Sequence, residues 1–223
     1  MKLQKRGSMK KNIFITAFTI IFVSILYYVD AALELSYFFK VLIKIGLLIA
    51  SFILGKKIGL DFSFLKPNKE NYKKGIAVSV FAFIAIILGF LIVRNYLDYQ
   101  VMVDEFKNKY QLTGFKFFAA SVYLVVANAF LEEYFFRGFI FFNLENKKFA
   151  YIFSSLAFSI YHISNFKNWF SNDLLVFLPL AGLFLSGLLF NYLDEKSGDI
   201  YNSYIPHFFA DLAIVMIGFF IIY

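Results

Sequence analysis

Most of the chain consists of apolar runs long enough to cross about 30 Å of hydrocarbon, for which roughly 20 helical residues suffice. The runs cover 12–29, 32–55, 75–93, 115–142, 149–163, 174–193 and 204–223. They predict an all-α, polytopic membrane helical bundle of about seven transmembrane helices, the fifth being short. Residues 94–113, between the third and fourth runs, alternate charge with Tyr and Leu and predict a solvated or interfacial helix. The first run follows a basic start, yet no small-residue cleavage site ends it, and Tyr27, Tyr28 and Asp30 do; it reads as a retained span. No Pro-, Gly- or Ser-rich linker, low-complexity tract or repeat divides the chain. A single membrane domain, 1–223, is expected, with three spans in 12–93 and the remainder in 114–223.

Composition agrees and narrows the chemistry. Hydrophobic residues reach 61% and aromatic ones 22%, with 17% charged, against roughly 45–50% apolar and about 25% charged in soluble domains. Disordered, collagenous and disulfide-rich classes are excluded. With no Cys, thiolate nucleophiles and Cys-ligated metals are excluded too, and only 2 His remain. The net charge of +7 would suggest nucleic acid in a soluble protein. Here Lys2, Lys5, Arg6, Lys10 and Lys11 precede the first run, and Lys56, Lys57, Lys66, Lys69, Lys73 and Lys74 separate the second from the third. Alternate basic loops follow the positive-inside rule, so the charge reads as topology and affinity for anionic lipid. The expectation is an integral protein of a bacterial cytoplasmic membrane, N-terminus inside, with no nucleic-acid partner. Asp194, Glu195 and Asp199 against Lys196 depart from the pattern in the last loop.

Ionisable groups within spans are expensive and need a partner or a purpose. The fourth run holds Glu132, Glu133 and Arg137. Glu133 and Arg137 are spaced i, i+4 with the acid N-terminal, the favourable order for a helical ion pair, which leaves Glu132 without a local partner. His162 ends the fifth run, and His207 and Asp211 share one face of the seventh by the same spacing. Counting from Lys147 and Lys148 as a surface mark, Glu132 and His162 lie at equal depth, ~21–23 Å at 1.5 Å per residue. His207, counted from Asp199, sits nearer that surface at about 12 Å. A polar cavity inside the bundle, lined by Glu132, Glu133, His162, His207 and Asp211, is expected.

The series Glu132-Glu133-x-x-x-Arg137, Phe158-x-x-x-His162 and His207-x-x-x-Asp211 resembles the three motifs, EExxxR, FxxxH and HxxxN/D, of the CAAX protease and bacteriocin-processing (CPBP) family. The likeness covers about half the chain, from Gly114 on, and makes 114–223 the catalytic core. It implies an intramembrane endopeptidase that hydrolyses a membrane-associated peptide or protein. It assigns Glu132 to water activation, His162 to binding or polarising that water, and His207 with Asp211 to stabilising the oxyanion, with Glu133, Arg137 and Phe158 in support. Where the family pattern has Asn, ionised Asp211 only accepts hydrogen bonds, so Asp211 orients His207 and His207 alone faces the oxyanion.

Glu132, His162 and His207 also form the His₂–carboxylate inventory of a catalytic zinc; a zinc-dependent version of the protease is the rival mechanism, and no metal or other cofactor is the favoured one. H-E-x-x-H is absent, as are a rhomboid-like G-x-S-G and a second intramembrane Tyr-Asp pair. A non-catalytic bacteriocin self-immunity protein is the rival function. A transporter is disfavoured because Pro179-x-x-Gly182 has no second broken helix to match it.

Overall fold

A computed structural model of the chain describes residues 2–33, 35–68 and 72–223. Lys69 of the basic loop lies outside them, as do the side chains of Lys2, Lys5 and Arg6. The α-helices are α1 (Lys2–Ala31), α2 (Tyr37–Lys57), α3 (Lys73–Val93), α4 (Tyr99–Asp104), α5 (Gly114–Val122), α6 (Ala129–Glu133), α7 (Lys147–Tyr161), α8 (Ile163–Phe166), α9 (Phe177–Ser197) and α10 (Tyr201–Ile222). No strand occurs among the described residues, and the protein is all-α, as its apolar runs predict.

Among the described residues six stretches are long and apolar enough to cross a membrane: Gly7–Ala31, Tyr37–Lys57, Lys73–Tyr96, Gly114–Phe142, Asp173–Ser197 and Tyr201–Ile222. The remaining expected span is α7, whose 15 residues reach about 22 Å and stop at His162, so the bundle has six full spans and one shorter helix. Large apolar side chains such as Phe81, Ile92, Phe115 and Phe220 face outward, which suits a bilayer as the outer solvent.

The expected helix over 94–113 is present but interrupted: a 3-10 turn at Arg94–Tyr96 ends at Leu97, and α4 then runs on into π-helical turns at Glu105–Lys109. Leu97 is extended and pairs with Phe170, so a continuous helix cannot run through it. Asp98 then caps α4 by accepting from the Val101 amide, and Glu105 accepts from the Trp169 indole at 2.9 Å. The segment is thereby tied to the loop after α8.

The Gly114–Phe142 span is not uniform. Wide π-helical turns at Tyr123–Asn128 and Tyr134–Phe142 flank α6. Such turns rotate the side chains that follow them, and they recur at functional sites. After the glutamates, Phe135, Phe136, Phe139 and Phe141 are fully buried, with Phe22 of α1 stacked on Phe135 at 3.9 Å between centroids. The chain after α2 turns inward and inserts Phe64 into this core, where it stacks on Phe142. Asn143 holds that turn by donating to Asp61 O and accepting from Asp61 N, at 3.0 and 2.8 Å.

Two close approaches set the helices that frame the site. α10 packs along α3, and Gly75 lies directly against Asn202, leaving no room for a Cβ. α7 packs on α9 where Gly187 meets Ser155, a small-residue contact of the kind that draws membrane helices together.

Candidate active site

The site forms where α6, the end of α7, α10 and α2 meet. Glu132 on α6 is 2% exposed. Its Oε1 accepts from Lys44 Nζ of α2 at 2.7 Å and from Asn128 Nδ2 at 2.8 Å. Glu132 therefore has a local partner, one turn earlier at i−4, and a cation, contrary to the expectation that it stands alone. Lys44 Nζ also donates to Asn128 Oδ1 at 2.5 Å and to the Tyr161 hydroxyl at 2.8 Å, so all three ammonium protons have acceptors. A charged pair at this depth is tolerable only with such full satisfaction.

The other carboxylate oxygen, Oε2, receives no hydrogen bond from any of the described residues. Its polar neighbours are His162 Nε2 at 3.5 Å and His207 Nε2 at 3.8 Å. Both rings are pinned from behind. His162 Nδ1 lies 2.8 Å from Phe158 O, and His207 Nδ1 lies 2.6 Å from Glu133 Oε1. A carbonyl and a carboxylate can only accept, so each Nδ1 carries its proton and each Nε2 is turned toward Glu132. Asp211 Oδ2 lies 3.8 Å from His207 Nε2 and likewise has no donor among the described residues.

Behind the histidines, Arg137 is wholly buried, with Nε 3.2 Å from Glu133 Oε2. Its guanidinium lies 4.3 Å from the Phe158 ring and 5.1 Å from the Phe190 ring, an aromatic sandwich that suits a desolvated cation. Phe158 makes edge contacts with His162 at 4.8 Å and His207 at 5.7 Å. It separates the Glu133–Arg137 pair from the face presented to Glu132. The histidines, Phe158 and the acids thus gather in one place, with Glu133 serving both Arg137 and His207. Asp211 and His162 retain slight exposure, at 12% and 13% of their side chains, so the cluster is mostly closed and opens along their edge.

Sequence reasoning missed Lys44, Asn128 and Tyr161. The same burial penalty that singles out Glu132 applies to Lys44, in the middle of the second apolar run, and was the available signal. As for zinc, no group of three or more His, Asp or Glu among the described residues has the geometry to hold a metal. Lys44 already places a positive charge 2.7 Å from Glu132 Oε1.

Residues 114–213 match the model of a family described as Rce1-like, type II CAAX prenyl endopeptidase. That is the CPBP family which the three motifs resemble, and the matched residues include all of them. The match supports a CAAX-type intramembrane protease as the general class. Comparison with curated proteins and with solved structures gives no match.

Proposed function

We propose, on the premise that residues 114–213 are an Rce1-like segment, that this protein is a metal-free intramembrane endopeptidase cleaving a membrane-associated peptide or protein. The observation that carries the reading is the convergence of two Nε2 atoms, each fixed through Nδ1, on the one Glu132 oxygen that no donor among the described residues occupies.

In this reading a water molecule sits against Glu132 Oε2 and His162 Nε2. Glu132 takes its proton as general base while His162 Nε2 accepts the other and aims the oxygen lone pair at the scissile carbonyl. His207 acts as an imidazolium, donating from Nδ1 to Glu133 and from Nε2 to the developing oxyanion. Three carboxylates suit that charge: Glu133 at 2.6 Å, Glu132 at 3.8 Å and Asp211 at 3.8 Å. A preorganised donor of this kind supplies about 3–4 kcal/mol of transition-state stabilisation. The proton held by Glu132 then passes to the leaving amine. Asp211 holds His207 in orientation and does not touch the oxyanion, because it has no proton to donate. Membrane location in bacteria with the N-terminus inside is part of the same proposal; the orientation rests on the basic loops, the bacterial origin on a Cys-free composition rich in Lys, Ile, Phe and Asn.

The test is cleavage of a membrane-tethered reporter by purified wild type, Glu132→Gln and His207→Ala. Loss of general-base catalysis is worth about 10²–10⁴-fold, and both variants are expected to fall by at least the lower figure. Undiminished cleavage by Glu132→Gln sinks the mechanism, and bacteriocin immunity that persists in that variant without proteolysis favours a binding role. Exhaustive chelation is expected to leave the wild-type rate unchanged.

A further inference from the structure

A second cluster lies behind His207, away from Glu132, and two of its members, Asp194 and Ser203, belong to none of the three motifs. Ser203 sits one helical turn before His207 on α10, and Asp194 sits in the last turn of α9, which Gly198 closes in the left-handed region at φ 79°. Asp194, Ser203 and Glu133 are all 0% exposed. Ser203 Oγ is 2.5 Å from Glu133 Oε2 and 2.7 Å from Asp194 Oδ2, and Ser203 N donates to Asp194 Oδ1 at 2.8 Å.

A hydroxyl has one proton to donate, yet this one lies at hydrogen-bond distance from two carboxyl oxygens. One of the two contacts must therefore run the other way, from a carboxylic acid to the hydroxyl oxygen. Charge decides which acid holds the proton. Glu133 faces Arg137 at 3.2 Å and His207 at 2.6 Å, whereas no Lys, Arg or His nitrogen among the described residues lies within 4.0 Å of Asp194. A second anion here would be buried without a cation of its own, at a cost that drives such a group to its neutral form.

Building on the function proposed above, we propose that Asp194 is a neutral acid and that Asp194 and Ser203 are positioning residues for His207. The hydrogen bonds run one way, from Asp194 Oδ2–H to Ser203 Oγ and from Ser203 Oγ–H to Glu133 Oε2. Glu133 is thereby held as the anion whose Oε1 accepts the hydrogen bond from His207 Nδ1–H. No bond is broken or made in this chain; it fixes which nitrogen of His207 is turned toward the substrate. Nothing in Glu133-x-x-x-Arg137 alone does so, because that pair leaves the glutamate free to turn about its own side chain.

Asn is the discriminating replacement, since its Nδ2–H donates to Ser203 and its Oδ1 accepts from Ser203 N, as the neutral acid does. Ser203→Ala and Asp194→Ala are expected to lower reporter cleavage about 10- to 100-fold, by analogy with removal of the partners that orient metal-bound histidines, with the loss in kcat and not in KM. Asp194→Asn is expected to recover most of that loss. The wild type should show an infrared carbonyl band of a protonated carboxyl at neutral pH, and that band should vanish in Asp194→Asn. Asn as damaging as Ala, or an unchanged infrared spectrum in Asp194→Asn, overturns the proposal. The infrared difference reads the relay without any proteolysis, so failure of the protease reading, seen as full cleavage by Glu132→Gln, is a separate outcome.

Discussion

Lys44 makes a carboxylate tolerable at position 132. With both side chains less than a tenth exposed and 2.7 Å apart, removing either partner leaves the other charge buried alone, at a cost of about 3–5 kcal/mol. Lys44→Met and Glu132→Gln are each expected to lower thermal stability in detergent. The double variant should lose clearly less than the sum of the two, because it deletes both charges together, while remaining inactive. Additive losses would show that the two groups are not coupled. Lys44 escaped notice because a lysine in an apolar run can extend its long stem to the interface, and its partner lies 88 residues away in sequence. Nothing local distinguishes a lysine that reaches outward from one that points in.

What could be read at the level of elements depended on whether a surface mark was truly at the surface. The equal depth assigned to Glu132 and His162 is matched by their 3.5 Å approach, because Lys147 and Lys148 do lie exposed at the turn joining their helices. The shallower placement of His207 fails because its mark, Asp199, is itself buried at 0% exposure, accepting from Asn68 N at 2.6 Å and Tyr72 OH at 2.9 Å. The turn before α10 is tucked into the protein, so counting from it underestimates depth. The π turns around α6 were also invisible, since a stretch with so few polar residues has no continuous polar face whose drift would betray a wider turn. Helix spacing yields a testable consequence. A Cβ on Gly187 would sit 2.9 Å from Ser155 Cα, whereas one on Gly182 of the same helix meets nothing within 4 Å. Gly187→Ala is expected to cost about 1–3 kcal/mol as overpacking and to reduce cleavage by pushing α7, with Phe158 and His162, away from α9. Gly182→Ala should do neither, and equal effects in thermal unfolding and cleavage assays would refute the packing argument.

At the scale of the molecule, the family likeness stops at residue 114, yet the site does not. Lys44 of α2 reaches Glu132, and Phe64 packs beneath the second π turn and accepts from Ile200 N at 3.3 Å. α3 lies along α10 with Gly75 against Asn202, one residue before Ser203. The three N-terminal spans therefore set the charge at Glu132 and the position of the helix that carries His207 and Asp211. Hydrophobic spans with no motif serve here as the outer wall of the site. The loop at Gln111–Gly114, where both end residues adopt positive φ, offers a place to divide the chain without cutting a helix. Residues 113–223 expressed alone in membranes are expected to be unstable and inactive. Co-expressed 1–112 and 113–223 should co-purify and recover cleavage, because burial of Lys44 against Glu132 and of Phe64 under Phe142 does not need a continuous backbone. Wild-type cleavage by 113–223 alone would show that the N-terminal spans are dispensable and that Glu132 functions without its lysine.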